Sequence, residues 1–589
     1  MSNREIAKLL TNVATAYTIK NEKKFRFQII AYLKASEAIS GLNGELIEFY
    51  KEDKLDAIPG IGPTLKSHLV ELFKKGKVKH FDWVFKGIPK SVFVLTDIPT
   101  FGPKKAFRLV SEFKLNDPIT VIEDVEKLAG ENKISKLEGF GEKSQEDIVR
   151  AIEEFKLGKG KTTRMTLPYA FEIAQKLMDY LKANKFVDKV EALGSLRRRA
   201  STIGDIDFAI ATKNPPKVID YFVAYPHKER IIEKGDVSAS ILVSGGRQID
   251  LLIQPEDSFG SLLQHFTGSK NHNIHLREYA LKKGLSLSEY GIKNLKSKNK
   301  ALQKYAQEED FYHAIGFQWI PPELREDTGE IELAIKGKIP KLIELKDIRG
   351  DFHIHSSFPI EPSHDLGLND MEEMLKKASE LGYEYLGFSE HNPSTSKHTN
   401  EQIYSLILNR NNYIDKIQKN IKNVRIFKLL EVDILPNGSL AIDNHSLDLL
   451  DAAIVSIHSV FNMDKAKMTE RVIKGLSHKK AKILAHPTGR LLNTRSGYDL
   501  NWDRIFKFCK ENEKALEINS WPQRLDLPDI IVKMAIEARV KMVIDTDSHS
   551  LTQMELQKYG VFVARRGWAT KNDILNTMSY NNMVNWFRQ

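Results

Sequence analysis

The chain has 589 residues, too many for one ordinary core, and at about 100–200 residues per domain it divides into roughly three to five units. Its formal net charge of +10 favours an anionic partner, although charge spread over so many residues is also what plain solvation looks like. The single cysteine, Cys509, excludes a disulfide framework and any cysteine-rich zinc module, which leaves the chemistry to carboxylates and imidazoles.

The opening stretch MSNREIAKLL is charged from the start. No apolar run approaches the ~20 residues needed to span a bilayer, so a cytoplasmic protein without membrane contact is expected. Helical periodicity carries most of residues 1–155, interrupted by the turns IPGIG (58–62), IPTFG (98–102) and LEGFG (137–141), each followed by a helix. Such a turn aims free backbone N–H groups outward, where they can bind a phosphate without reading a base. Lys66, Lys104, Lys105 and Lys143 follow the turns and add charge. One copy alone could be an ordinary tight connection between helices; three in one segment speak for function. The turns resemble helix-hairpin-helix motifs, which implies a grip on the DNA backbone by Gly60, Gly62, Lys66, Gly102, Lys104, Gly139 and Gly141. The second copy departs from the pattern with Thr100 in place of the first glycine. Two helical DNA-binding regions, 1–82 and 83–158, are expected.

From Val190 the sequence reads VEALGSLRRRASTIGDIDFAIAT and then SASILVSGGRQIDLLIQ, which scans as strand, helix start, strand and a hairpin turning at Gly245-Gly246. The sheet is expected to be mixed or antiparallel. The side-chain period of two puts Asp205 and Asp207 on one face, and Asp250 lies on a strand that can pair alongside. Three carboxylates crowded on an apolar sheet repel one another unless divalent cations lie between them, and such a hard-oxygen site suits Mg²⁺ or Mn²⁺. Two ions there could serve in-line phosphoryl transfer to a 3′-hydroxyl. Gly194 and Ser195 at a strand-to-helix turn, with Arg197 and Arg198 behind them, would hold a triphosphate.

GSLRRR, GDID, QIDLLI and HFTGSKNHNIHLREYALKKGLSLSEYG together resemble the family X DNA polymerases, gap-filling repair enzymes of the nucleotidyltransferase superfamily, over residues 1–320. The resemblance implies a palm at 159–256 and a nucleotide-selection region at 257–320. It makes Asp205, Asp207 and Asp250 the metal-binding catalytic triad, and Gly194, Ser195 and Arg198 the triphosphate contacts. Phe266, Gly268, Lys270 and Asn273 would pack on the incoming nucleotide and Arg277 on the template. Two departures bear on activity. His265 stands where the family has a tyrosine, which concerns sugar discrimination and fidelity. His68 stands where some relatives carry a Schiff-base lysine, and Lys66 projects about 200° away around the helix, so weak or absent lyase chemistry is expected.

Residues 321–346, proline-bounded and charged, read as a linker. Beyond it the pattern alternates strands and helices, and short apolar runs end in possible ligands: DFHIH, YLGFSEH, IFKLLE, AAIVSIH, KILAHP and VKMVIDTDSH. Ligands at the C-terminal ends of successive strands in a βα series meet at one mouth even when far apart in sequence. Imidazole with carboxylate suits Zn²⁺, Mn²⁺ or Fe²⁺ and phosphoester hydrolysis. These motifs, with HPTGR, EINSWPQRLDLPD and DTDSH, resemble the PHP domain of polymerases and histidinol phosphatases over 347–589. The resemblance implies a distorted (β/α)7 barrel holding up to three metals through His353, His355, His391, Glu431, His458, His486, Asp547 and His549. A ninth ligand, normally an aspartate, aligns best with Asp365 in SSFPIEPSHDLGLND; His364 and Asp370 are its rivals.

The expected whole is a multidomain α+β and α/β enzyme, taken as a monomer acting on gapped or nicked double-stranded DNA and dNTPs. It would fill short gaps and process 3′ ends as a 3′–5′ exonuclease, 3′-phosphatase or abasic-site endonuclease. The alternatives are a decayed DNA-binding scaffold and a small-molecule phosphatase in the C-terminal half.

Overall fold

The computed structural model describes residues 3–40, 46–51, 53, 55, 61–96, 98, 101–137, 139–156, 164–243, 247–298, 301–492, 495 and 497–589. The chain separates into two compact units, one of residues 1–163 with 494–496, the other of the remaining residues from 164 on. Among the described residues no helix is long and apolar enough to cross a membrane.

The first unit is helical, from Asn3–Asn21 to Glu142–Lys156. It holds two hydrophobic clusters, one built from residues between Ile6 and Phe93 and one between Val92 and Ile152. Helix Pro63–Lys75 starts at Gly62 and helix Pro103–Phe113 at Gly102, each with extended cap backbone and proline in the first turn, where a missing N–H costs nothing. Helix Glu142–Lys156 follows Gly141. A Cβ at Gly62, Gly102 or Gly141 would meet nothing within 4 Å, so these turns face open space. Gly60 and Thr100 lie outside the described residues, as does the Gly245-Gly246 turn.

The second unit begins with strand β1 (Met165–Thr166), which pairs with β3 (Thr202–Ile203). Strands β2 (Lys189–Ala192), β4 (Ile206–Ala211), β5 (Lys228–Lys234), β6 (Ser238–Val243) and β7 (Arg247–Gln254) form a mixed sheet in the order β2-β4-β7-β6-β5. The β4 and β7 pair is parallel and the others antiparallel. Helices Phe259–Thr267, Lys270–Lys282 and Glu308–Ala314 and a small sheet of β8 (Leu285–Ser288), β9 (Gly291–Asn294) and β10 (Leu302–Gln303) follow.

Residues 321–346 are not a loose linker. Arg325 and Glu330 are fully buried, and Leu324, Ile331, Ala334, Ile339 and Leu342 join the cluster formed by Leu276, Phe311 and Phe317. Two of the charges that suggested a solvated connector are satisfied inside, Arg325 by Glu308 and Glu330 by His272 Nδ1 at 2.6 Å, while Glu332, Lys336, Lys338, Lys341 and Lys346 stay exposed.

The C-terminal part alternates parallel strands with helices. β11 (Gly350–Ile354), β12 (Tyr385–Phe388) and β13 (Arg425–Lys428) form one sheet, and β14 (Glu431–Asp433), β15 (Ala453–Ser456), β16 (Ala481–Leu484), β17 (Ala515–Asn519) and β18 (Met542–Asp545) another. A bridge between His391, just past β12, and Glu431 on β14, and another between Ile354 on β11 and Ser548, just past β18, connect the two sheets. All the strands are fully or largely buried, as parallel strands covered by helices on their outer face must be.

Candidate active sites

In the mixed sheet the chain leaves β2 at Ala192 and turns at once into the helix Gly194–Arg197. Leu193 N donates to the Asp207 carbonyl at 2.8 Å, which pins the turn to β4. Gly194 takes a left-handed φ of 56°, and a Cβ there would come within 3.2 Å of Asp207 Oδ2. The turn therefore lies directly on a carboxylate. Asp207 and Asp250 are register partners on the parallel strands β4 and β7. Ser240 on β6 is in turn the partner of Asp250 and donates its hydroxyl to Oδ1, while Gln248 Nε2 donates to the same oxygen at 2.9 Å. Asp205 stands exposed just before β4. Burial, with Asp205 and Asp250 close by, raises the Asp207 carboxyl from 3.8 to about 7. Three carboxylates, one resisting ionisation beside the others, are a donor set that fits divalent cations.

Arg197 behaves differently from the sequence expectation. Its two terminal nitrogens donate to both oxygens of buried Glu308, at 2.9 and 3.0 Å, and one also reaches Thr267 Oγ1 at 2.7 Å. It fastens the turn to the helices behind and is committed there. Arg198 donates Nε to Glu326 Oε1 and Nη1 to the Thr267 carbonyl, both at 2.8 Å.

The junction between helices Phe259–Thr267 and Lys270–Lys282 gathers the residues expected at the nucleotide. A Cβ on Gly268 would lie 2.6 Å from Asn273 Oδ1, and Asn273 Nδ2 donates to the His265 carbonyl at 2.8 Å. Gly268 and Asn273 thus build the turn itself. Ser269 caps the second helix, Lys270 opens it, and Phe266 remains 38% exposed beside them. Arg277 Nη2 donates to His265 Nδ1 at 3.3 Å; burial and this guanidinium lower the imidazole pKa.

In the first unit Lys66 is ion-paired with Asp53 at 3.2 Å, and Lys104 with Glu22 at 2.8 Å. His68 Nδ1 and the Tyr32 hydroxyl lie 2.7 Å apart, and the His68 ring stacks on His80 at 5.1 Å. Gly139 has a φ of 84° and packs near Arg108.

At the ends of the parallel strands, imidazoles and carboxylates converge on Glu431. His391 Nδ1 and His486 Nε2 are each 2.9 Å from a Glu431 oxygen, His353 Nε2 is at 3.3 Å, His458 Nε2 at 3.4 Å and His355 Nε2 at 3.6 Å. Asp547 Oδ1 lies 3.4 Å from His355 Nε2. Asp365 sits between His391 and His549, at 3.3 and 3.5 Å. His364 lies beside Asp433 at 3.3 Å, while Asp370 caps helix Met371–Glu380 through Glu373 N and is kept from the cluster. His486 and Asp547 hold left-handed φ values of 29° and 55°, strain of the kind that concentrates where function over-determines a backbone.

Close as these atoms lie, buried His353 Nε2, both nitrogens of His355, His391 Nδ1, Glu431 Oε2 and His549 Nε2 form no hydrogen bond of acceptable geometry. Orphaned lone pairs gathered at one point are costly unless a cation takes them, so the set fits metal ions. Among the described residues four overlapping groups, including His355 with His391 and His549, and His364 with Asp433 and His458, hold three ligand atoms within 4.8 Å of one another. Burial and the neighbouring imidazoles of His549 and His391 push the His355 pKa well down, toward the neutral form a metal requires. A cavity of about 350 Å³ opens over the cluster, with Trp521 and Arg524 in its wall.

Three supporting side chains were given no role in the sequence reading, although Glu517 and Arg524 lie within EINSWPQRLDLPD. Glu517 takes His353 Nδ1 at 2.6 Å and also the His486 N–H. Asp433 takes His458 Nδ1 at 2.7 Å, and Arg524 Nε lies 3.6 Å from Asp547. Asp433 follows Glu431 by two residues on β14, so the strand period places it on the same face.

Comparison with known proteins gives a consistent set of relatives. Residues 1–78 match the helix-hairpin-helix domain family and residues 262–326 the DNA polymerase beta thumb. The chain is 32% identical over 581 residues to the DNA polymerase/3′-5′ exonuclease PolX of Bacillus subtilis, covering 98% of both proteins. It is 23% identical over 310 residues to DNA polymerase lambda of Rattus norvegicus, covering 49% of each. A probable phosphatase of Clostridium acetobutylicum is 28% identical over 209 residues, which span 34% of this chain and 78% of that protein.

Proposed function

We propose that this chain, which belongs to the PolX group of family X DNA polymerases, is a DNA polymerase that extends 3′ ends at its mixed sheet and a 3′–5′ exonuclease that trims them at its parallel strands. The observation that carries this reading is the presence, in one chain, of register-paired Asp207 and Asp250 and of an imidazole–carboxylate basin centred on Glu431.

In the polymerase half, Asp205, Asp207 and Asp250 hold Mg²⁺ or Mn²⁺, which when bound supplies charge neutralisation and Lewis acidity for phosphoryl transfer. The protein's own residues bind and orient. The Gly194-Ser195 turn presents backbone N–H groups to the triphosphate and Arg198 adds a guanidinium. Phe266, Gly268, Lys270 and Asn273 form the surface for the incoming nucleotide, and Arg277 lies toward the template. Gly60, Gly62, Gly102, Gly139 and Gly141, with Lys66 and Lys104, hold gapped or nicked DNA through its backbone, so binding weakens with salt.

The C-terminal half is a distorted seven-stranded βα barrel of the PHP type, with β13 and β14 as one interrupted strand. His353, His355, Asp365, His391, Glu431, His458, His486, Asp547 and His549 hold up to three Zn²⁺, Mn²⁺ or Fe²⁺ ions, which when bound supply Lewis-acid activation of water and of a phosphoryl oxygen. Glu517 and Asp433 orient His353 and His458 through the ring nitrogens that face away from Glu431. Arg524 places a cation where a phosphodiester must enter. Besides exonuclease action, this site removes 3′-phosphates or cuts at abasic sites.

Primer extension on a short-gap duplex carrying a 5′-phosphate, with shortening scored without dNTPs, tests both halves. Extension is expected to vanish only in Asp205→Ala/Asp207→Ala and shortening only in His353→Ala/His355→Ala. A wild type that does neither overturns the reading in favour of a DNA-binding scaffold. Preference for histidinol phosphate over a 3′-phosphorylated DNA end would assign the C-terminal half to small molecules.

A further inference from the structure

The helix Gln557–Arg566 belongs to the C-terminal half but packs against the polymerase half along its length. Arg199 lies with its guanidinium 4.7 Å from the ring of Phe171 and 4.6 Å from that of Phe562. Arg565 Nε donates to Glu323 at 2.8 Å, and Trp568, just beyond the helix, enters the core around Phe311 and Phe317.

Arg566 reaches further in. Its Nη1 donates to the main-chain carbonyl of Arg198 at 2.8 Å and to Glu326 Oε1 at 2.9 Å, and its Nε donates to Asp529 Oδ2 at 2.7 Å. The same Glu326 Oε1 accepts Arg198 Nε at 2.8 Å. The three side chains are little exposed, 9% for Arg566, 14% for Arg198 and 24% for Glu326, so these charge-assisted bonds are weakly screened.

We infer that Arg566, contributed by the nuclease half, is a positioning residue for DNA synthesis: it fixes the backbone of Arg198 and shares Glu326 with that guanidinium. This rests on the reading of Arg198 as a triphosphate contact. Glu326 facing Arg198 alone would form an undivided ion pair that competes with a phosphate. With Arg566 drawing on the same oxygen, the carboxylate is divided between two cations, and Arg198 is held in place without being neutralised. Arg566 touches neither the nucleotide surface nor the carboxylate triad, so its loss should weaken nucleotide capture and leave the chemical step unchanged.

The test measures steady-state dNTP incorporation on gapped duplex by the full-length protein. Arg566→Ala is expected to raise KM for dNTP about tenfold with kcat retained, the scale of one lost charge-assisted bond. In an Arg198→Ala background the same change should add nothing, because the group being positioned is gone. Arg566→Lys keeps charge and volume but cannot reach the Arg198 carbonyl, Glu326 and Asp529 together, and should also raise KM. Shortening of 3′ ends should proceed at the wild-type rate in both Arg566 variants. An unchanged KM in Arg566→Ala or Arg566→Lys, an equal further rise in the Arg198→Ala background, or a parallel loss of 3′-end shortening overturns the inference and leaves Arg566 as domain packing. A KM unmoved by Arg198→Ala itself removes the triphosphate reading, and the inference falls with it.

Discussion

Replacing Asp207 with asparagine keeps the shape of the side chain and removes the charge that the mixed sheet resists. In the folded protein the Asp207 carboxyl is raised from 3.8 to about 7, first by burial and then by Asp205 and Asp250. A raised carboxyl pKa means that the folded state binds the proton more tightly than the unfolded chain. Its contribution to stability is fully present below the unfolded value and is lost as pH rises through the folded one. The shift amounts to about 4 kcal/mol over the whole range, of which about 2.5 kcal/mol falls between pH 5 and pH 8. Urea unfolding in chelator should therefore find Asp207→Asn more stable than wild type, with an advantage growing by about 2.5 kcal/mol from pH 5 to pH 8. Asp351 and Asp526, both raised to about 6 by burial, also titrate in this unit but are common to both proteins and cancel in the difference. Adding Mg²⁺ near pH 8 should restore the wild type and do little for the variant. A pH-independent difference would refute the idea that the three carboxylates repel without a cation between them.

Three further outcomes follow from the geometry. Glu517→Gln loses the charge that holds His353 Nδ1 and the His486 N–H, and should weaken metal retention and 3′-end shortening about 10–100-fold while primer extension is unchanged; metal content after dialysis and the two gel assays check this. Gly194→Ala forces a left-handed φ of 56° on a residue whose Cβ would crowd Asp207 Oδ2, and extension should fall about 10–100-fold with shortening intact. Borohydride trapping on an abasic 5′-phosphate substrate should be weak, because Lys66 is turned to Asp53 and His68 is engaged with Tyr32; efficient trapping abolished by Lys66→Ala would refute this.

The parts of the two sites that could be read from sequence are those where a single strand carries the information. Asp207 lies on β4 with Asp205 two residues ahead of it and close enough to raise its carboxyl, and the GS turn nine residues ahead of the GDID string marks where β2 must end. His355, His391, His458, His486 and His549 each close an apolar run, and strand ends in a parallel series have only one mouth to share. Glu517 opens the motif EINSWPQRLDLPD but closes no apolar run that would mark it as a ligand. It sits in the middle of ALEIN on β17, points at His353 from 164 residues away, and reads in isolation like any charge in an alternating strand. Asp365 and His364 could not be separated by alignment because both reach the basin, on different neighbours.

Arg197 and residues 321–346 show why the remainder was hidden. Arg197 and Arg198 behind a glycine turn both suggest phosphate binding, yet Glu308, more than a hundred residues on, claims Arg197 with both oxygens. Glu308 also pairs with Arg325, inside the segment whose charges and prolines suggested a solvated linker. Burial pushes the Glu308 carboxyl up, but these two guanidiniums outweigh it and hold it well below the ordinary range, so the cluster stays ionised inside the protein. Breaking one partner would leave an uncompensated buried charge, which costs about 3–5 kcal/mol. The apparent linker therefore ties the Gly194–Arg197 turn and the helices behind it to helix Gln557–Arg566, through Glu323, Arg325 and Glu326. A protease should cut last within 321–346, and early cleavage there would show that the two catalytic halves move independently.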